Sequence, residues 1–499
     1  MKMNLITFMA AAFLASACGG SEAEPTPDPT PDPTPDPVVV ENVAKVYTTS
    51  ADKSRLFLEE SIDVSRKASM SPNIVSLEPG TTYQTIDGFG AAMTWASCYN
   101  LLKMSADDRS SLLHELFDPE TGLGISLVRV SVGASDFNTE EYTWCDSKGI
   151  EHFAVDRRDE QTVFPVLDEI YKINPDVQII GSPWSVPKWM KMKVDGTGTC
   201  DSWTSGRLNP AYYDDYAEYF VKWIQKMEER GYRISAITPQ NEPLNHGNSM
   251  STYMPWADEA AFIGTSLGKA IKDAGLDTKI LVFDHNYNYD GQSDQKSYPL
   301  RIYDDPEAAK YVAGSAWHNY GGSVTELDNI YKAAPDKEIY FTEASIGEWN
   351  YSFAGCLIND FKSIFLQTLE RYNKGVTLWN MVLDDQKGPY SPQGGSCKTC
   401  YGAVEVSHST YKVVDRKTHY YNIAHCSKVI KRGAVRIGTS TTYDFSNITY
   451  QAYRNPDGSW AVLILNEKSS SETIVFNSES HSVKVTVPGK SIMSVKWSD

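Results

Sequence analysis

Eight short apolar runs recur along the middle of the chain: Ile86 to Met93, Ile125 to Val132, Val177 to Gly181, Ser235 to Thr238, Ile280 to Phe283, Gly314 to Trp317, Glu338 to Phe341 and Gly375 to Leu378. Their length and β-branched content suit strands buried on both faces. Between them lie longer amphipathic stretches, among them Asp107 to Phe117, Pro210 to Arg230, Ala257 to Ala274 and Asn359 to Asn373. Strand and helix alternating in this way over so long a stretch predict an α/β fold, a (β/α)8 TIM barrel spanning residues 85–424. From residue 425 to 499 the pattern shortens to strand-length segments: Val435 to Ile437, Ile448 to Arg454, Trp460 to Asn466, Glu472 to Phe476, Ser482 to Val487 and Ser491 to Trp497. Turns separate them, and Asn455-Pro456-Asp457-Gly458 is a hairpin signal. An antiparallel β side domain is expected beside the barrel.

The first residues read differently. Lys2 precedes an apolar run, Leu5 to Ala15, too short to span a bilayer, so residues 1–18 read as a signal peptide. Ser16-Ala17-Cys18 resembles a bacterial lipoprotein cleavage site with lipid added to Cys18, although Ala15 stands where Leu is usual; plain secretion is the alternative. The location expected is exported: a cell-surface or outer-membrane lipoprotein, otherwise periplasmic or secreted. Residues 19–40 carry the alternating prolines Pro25 to Pro37, which force polyproline II over roughly 40 Å. They read as a stalk, or else as a disordered tail. Residues 41–84 are mixed, with β-prone patches such as Val43 to Tyr47.

The 499 residues carry a formal net charge of -18, which argues against nucleic acid or an anionic membrane surface as partner. Membrane contact is then expected only through a lipid at Cys18. The 12 Trp and 29 Tyr are mostly core, Trp189 and Trp223 among them, but such rings also stack on sugar faces. Beyond Cys18 the cysteines number seven, an odd count. Cys397 and Cys400 form the closest pair. No second Cys/His pair matches zinc-ligand spacing, so a local disulfide or two buried thiols is expected and no metal site.

The ends of the eight runs hold most of the candidate chemistry. Run one ends near Trp95. Run two carries Arg129 and leads to Asp136, and run three ends in Ser182-Pro183-Trp184. Run four ends in Asn241-Glu242-Pro243, where proline stops strand pairing. Run five gives Asp284-His285-Asn286, run six His318-Asn319-Tyr320, run seven Thr342-Glu343 and run eight Trp379-Asn380. In a parallel barrel these ends share one mouth. Glu242 and Glu343, on strands four and seven, face each other across it. Two facing carboxyls with aromatic walls are the equipment for glycoside hydrolysis, one protonated to assist the leaving oxygen and one ionised to attack the anomeric carbon. A like-charged neighbour and partial burial are expected to raise one pKa, giving the acid, while Arg129 keeps Glu343 ionised. The chemistry requires no metal or organic cofactor.

From about Thr85 to the C-terminus the chain resembles glycoside hydrolase family 30, of the retaining (β/α)8 clan. The resemblance rests on Asp87-Gly88-Phe89-Gly90, Arg129, Ser182-Pro183-Trp184, Pro239 to Pro243, His318-Asn319-Tyr320 and Phe341 to Ala344. It implies Glu242 as acid/base, Glu343 as nucleophile and Asn241 as the residue that binds the sugar 2-hydroxyl. Trp184, His318, Tyr320 and Trp379 would wall the reacting sugar. The family's side domain is a β-sandwich built from N- and C-terminal segments, which gives residues 41–84 a place. Trp95 stands where the glucosylceramidase branch has an Asp gripping the distal hydroxyls, and Tyr390 stands where that branch has an Asn; Asp384 and Asp385 are candidate replacements. Asn241 to Asn245, Phe283 to Tyr289 and Thr342 to Gly347 look more like the bacterial endo-β-1,6-glucanase subgroup. The resemblance therefore implies a retaining enzyme on a β-1,6-glucan, poly- or oligosaccharide. A glucosylceramidase-like β-glucosidase and a non-catalytic glycan-binding lipoprotein are the alternatives.

Overall fold

The computed structural model describes residues 43–68 and 73–499. The signal peptide, the Cys18 lipid site and the proline stalk expected from the sequence lie outside the described residues.

Eight parallel strands form the barrel: β1 (Gly88–Ala91), β2 (Leu127–Ser131), β3 (Gln178–Ser182), β4 (Arg233–Ile237), β5 (Lys279–Asn286), β6 (Val312–His318), β7 (Glu338–Glu343) and β8 (Asn373–Leu378). Neighbours in sequence are neighbours in the sheet. β8 pairs with β1, and a bridge from Ala92 to Arg129 brings β1 to β2, so the sheet nearly closes. Helices cover the outside. That of Tyr213–Glu229 buries Tyr216, Phe220, Trp223, Ile224 and Met227, the 3.6-residue stripe that a core-facing helix needs. Trp223 packs against β3 where a side chain at Gly181 would collide with its ring.

The side domain holds β9 (Val435–Ser440), β10 (Ile448–Arg454), β11 (Trp460–Asn466), β12 (Glu472–Asn477), β13 (His481–Val487) and β14 (Ser491–Trp497). The N-terminal strand Val43–Ser50 pairs antiparallel with β14. The strand Ile74–Thr85 runs from β12 at one end to β9 at the other, carrying the hydrogen bonding from one layer to the next. Val46, Val75, Trp460, Phe476 and Val495 fill the interior between the layers. The helix Thr418–Ser427 crosses the 424/425 boundary expected between the two parts, and all ten of its residues are buried. Its His425 bridges the two, with Nε2 2.8 Å from Thr49 Oγ1 and Nδ1 3.0 Å from Ser494 Oγ.

Candidate active site

Residues two apart on a strand face the same side. Leu127, Ile180, Ala236, Leu281, Ala316 and Tyr340 form one apolar ring inside the barrel. Two residues further along their strands stand Arg129, Ser182, Thr238, His318 and Thr342, a polar layer resting on the apolar one. On β5 the step is three residues. The pairing with β6 jumps from Phe283–Ala316 to His285–Trp317, so Asp284 is the extra residue of a bulge, with φ at 54°. The bulge lets a carboxylate take the inward position that strict alternation would deny it.

Asp284 is the hub of this layer. One oxygen accepts from His318 Nε2 at 3.0 Å and Thr342 Oγ1 at 2.6 Å. The other accepts from Arg129 Nη2 at 2.7 Å, Ser182 Oγ at 2.8 Å and Thr238 Oγ1 at 2.8 Å. Burial opposes the charge, but Arg129, His318 and Thr342 hold this carboxyl far below the usual range. Arg129, itself fully buried, also donates to Asn241 Oδ1 at 2.7 Å and to Glu343 Oε2 at 2.6 Å. Its guanidinium lies 4.9 Å from the Trp184 ring centre, and Trp184 stacks on Trp379 at 5.0 Å.

Above this layer stand the two glutamates. Glu343 ends β7, its second oxygen accepting from the Tyr320 hydroxyl at 3.0 Å. Glu242 follows β4 on a left-handed backbone, φ 45°, fixed by its N–H donating to the Asp284 carbonyl at 3.1 Å. Its carboxyl meets His318 Nδ1 at 3.3 Å and accepts from the Asn245 amide at 2.9 Å. One atom each of Glu242, His318 and Glu343 lie mutually within 4.8 Å.

The electrostatics differ from the sequence expectation. Burial works to raise the Glu242 carboxyl, yet His318, His285 and Asn245 outweigh it and hold it at about 2. Burial likewise opposes a charge on His318, but Glu343, Asp284 and Glu242 push it up to about 9. Burial outweighs the pull of His318 and Arg129 and raises Glu343 on balance, so the contact with Arg129 does not hold it down as expected from the sequence. The expected raised pKa on Glu242 is therefore absent from the free site. The cause is His318, whose charge offsets the repulsion between the two carboxylates. The hydrogen bond between Glu242 and His318 Nδ1 gives the acid a short path along which a proton can pass.

The structure brings Glu242, Glu343, Asn241, Arg129, Trp184, His318, Tyr320 and Trp379 into this one arrangement. Trp95 opens the helix Trp95–Lys103 and stacks on Tyr99 one turn later at 5.1 Å, while Thr94 just before it donates to Asn380 Oδ1 at the end of β8 at 2.7 Å. Asp384 and Asp385, the candidate hydroxyl ligands, are engaged elsewhere: Asp384 caps its own turn through Gln386 and Gly388 and binds His408, and Asp385 accepts from the His408 N–H. Asp284 and Asp136 stand among the strand-end residues picked out in the sequence, but no role is assigned to either there. Asp136 lines the cleft with one carboxyl oxygen lacking a hydrogen-bond partner, and burial together with Glu343 and Glu242 pushes it well above the usual range. The signal for both was available: each carboxyl follows a predicted strand by a few residues. The cleft encloses about 370 Å³ and is closed on one side by Cys397 and Cys400, which form a disulfide.

The model of the glycosyl hydrolase family 30 TIM-barrel domain matches residues 86–430, and that of the family's beta sandwich domain matches residues 433–495. The chain belongs to glycosyl hydrolase family 30. Its relatives include an endo-1,6-beta-D-glucanase of Neurospora crassa, 33% identical over 411 residues that cover 80% of this chain and 82% of the relative. A putative glucosylceramidase 1 of Caenorhabditis elegans is 28% identical over 449 residues, 85% of this chain and 82% of the relative. Among solved structures, the endo-beta1,6-glucanase BT3312 is 46% identical with a TM-score of 0.89, covering 92% of this chain and 99% of that one.

Proposed function

We propose that this family 30 enzyme cleaves β-1,6-glucan with retention of configuration, by double displacement. The observation that carries the reaction type is the approach of Glu242 and Glu343, with oxygens within 4.8 Å of each other. Retaining enzymes hold their carboxyls about 5 Å apart, whereas inverting ones need more than about 6 Å to admit a water between carboxylate and sugar. Arg129 grips one oxygen of Glu343, which leaves the oxygen beside Tyr320 to attack the anomeric carbon. As the C–O bond breaks, Glu242 delivers the proton it shares with His318 to the leaving oxygen. Glu242 then takes a proton from water, which hydrolyses the glycosyl-enzyme ester. Asn241 spends its amide oxygen on Arg129, and this directs its NH2 toward the sugar's 2-hydroxyl.

The substrate reading draws on the glucanase relatives, 33% identical in one sequence and 46% in one structure, against 28% for the glucosylceramidase. Incubation with pustulan, laminarin, xylan and glucosylceramide tests it: short β-1,6-gluco-oligosaccharides from pustulan are expected, and glucose released from the lipid alone would overturn the assignment. Glu343→Ala abolishes turnover on every substrate. Glu242→Ala slows pustulan by a factor on the order of 10² or more and spares dinitrophenyl glucosides, whose leaving group needs no proton. Near-normal rates in either variant on pustulan would refute the roles. Export as a lipoprotein through Cys18 completes the proposal; Cys18→Ala should shift the protein from the membrane fraction to the soluble one.

A further inference from the structure

Among the described residues seven large apolar side chains stand exposed, and only Tyr320 and Trp349 of these line the cleft. Tyr320 is committed through its hydroxyl to Glu343 and Ser345. Trp349 is the most exposed of the seven, at 56%. An indole left in water at the mouth of a sugar cleft is an unfilled apolar contact.

The ring is also held in place. A side chain on Gly347 would run into the Trp349 ring and the Thr399 carbonyl, so the indole lies against bare backbone there. Ile346 and Gly347 pair antiparallel with Tyr401 and Cys400, and the Glu348 N–H donates to the Thr399 carbonyl at 2.9 Å. Lys387 anchors Glu348 at 2.7 Å. The Cys397–Cys400 disulfide closes the opposing strand. A ring supported on its inner side and open on the other is pre-ordered for stacking.

Resting on the glucanase reading above, we propose that Trp349 is the platform for a second glucosyl ring of the bound chain, and that the Cys397–Cys400 clamp acts through it as a positioning element. The axial C–H groups of a β-glucosyl ring make a flat apolar face with partial positive charge, which suits the face of an indole. A 1,6 linkage adds a rotatable exocyclic bond between rings, so the free chain is loose. A rigid platform lowers the cost of ordering the second ring.

Steady-state kinetics on pustulan test this, with Trp349→Ala, Trp349→Phe and the double variant Cys397→Ser/Cys400→Ser. Inhibition by a monosaccharide iminosugar, which reaches only the reacting position, reports whether the rest of the site is intact. Trp349→Ala should raise KM on the order of tenfold, with a much smaller change in kcat and in iminosugar inhibition, and Trp349→Phe should recover most of it. The disulfide variant should raise KM in the same direction, with little further rise when combined with Trp349→Ala. An unchanged KM, a failure of Phe to rescue, or equal losses in KM and iminosugar inhibition would each overturn the platform. Additive KM effects would overturn the clamp. If the wild type turned over no pustulan, both this inference and the glucanase reading would fall; pustulan turnover with an indifferent Trp349 would sink the platform alone.

Discussion

At the scale of single residues, the site depends on two fully buried cations, Arg129 and His318, set among three carboxylates. His318 titrates at about 9 in the folded chain against about 6.5 when unfolded. The sign follows from which state holds the proton more tightly. Stability from His318 is complete below pH 6.5 and is lost as pH rises through 9, on the order of 3 kcal/mol in all. Thermal melts at pH 6 and pH 10 should show that loss, and His318→Gln should flatten it. The same proton serves catalysis, so the alkaline limb of kcat/KM is expected near pH 9. In His318→Gln the proton must reside on Glu242 alone, and the limb moves to lower pH. Asp284→Asn removes the charge that Arg129 and His318 face; breaking a buried pair of this kind costs about 3 kcal/mol or more, measurable by calorimetry. Glu242 and Glu343 could be picked out in sequence because each ends an apolar run. Asp284 also ends one, but nothing local marks it as the hub, because its five hydrogen bonds come from five other strand positions brought together by closure.

At the scale of elements, the strand runs were legible because a parallel strand covered on both faces has to be apolar along its length. What the runs did not reveal was which alternate residue points into the barrel, and so the β5 bulge went unseen. The loop after β7 was similarly opaque: Trp349 looks like any surface tryptophan until the ladder with Cys400–Tyr401 places it at the cleft. The helix Thr418–Ser427 carries a further prediction. Burial without a countercharge holds His425 down at about 3, so it is neutral where it joins Thr49 to Ser494. A depressed histidine contributes stability fully present above pH 6.5 and lost as pH falls toward 3. The loss is on the order of 3 kcal/mol by pH 4. Denaturant melts between pH 7 and pH 4 should show this slope, and His425→Gln should reduce it; an unchanged slope would show that other groups carry the acid sensitivity.

At the scale of the whole molecule, the barrel is continuous in sequence while the side domain is not. Val43–Ser50 lies between the strand Leu58–Asp63 and β14, and Ile74–Thr85 between β9 and β12. A chain beginning at Thr85 would uncover an edge of β14 and part of the apolar interior around Val46, Val75 and Leu77. Such a truncation should be insoluble or melt well below the full chain, as expression and calorimetry can test. The sequence by itself determined the alternation that makes a barrel, the shift to antiparallel strands near residue 425 and the carboxyls that end strands four and seven. Each of these is written in a local pattern, in hydrophobic period or in residue type at the end of a run. Only the tertiary structure decided the pairing of Glu242 with His318, the inward turn of Asp284, the stacking of Trp95 on Tyr99 and the seat of Trp349. Those depend on charges and rings from segments far apart in the chain, whose distances are set only when the barrel closes.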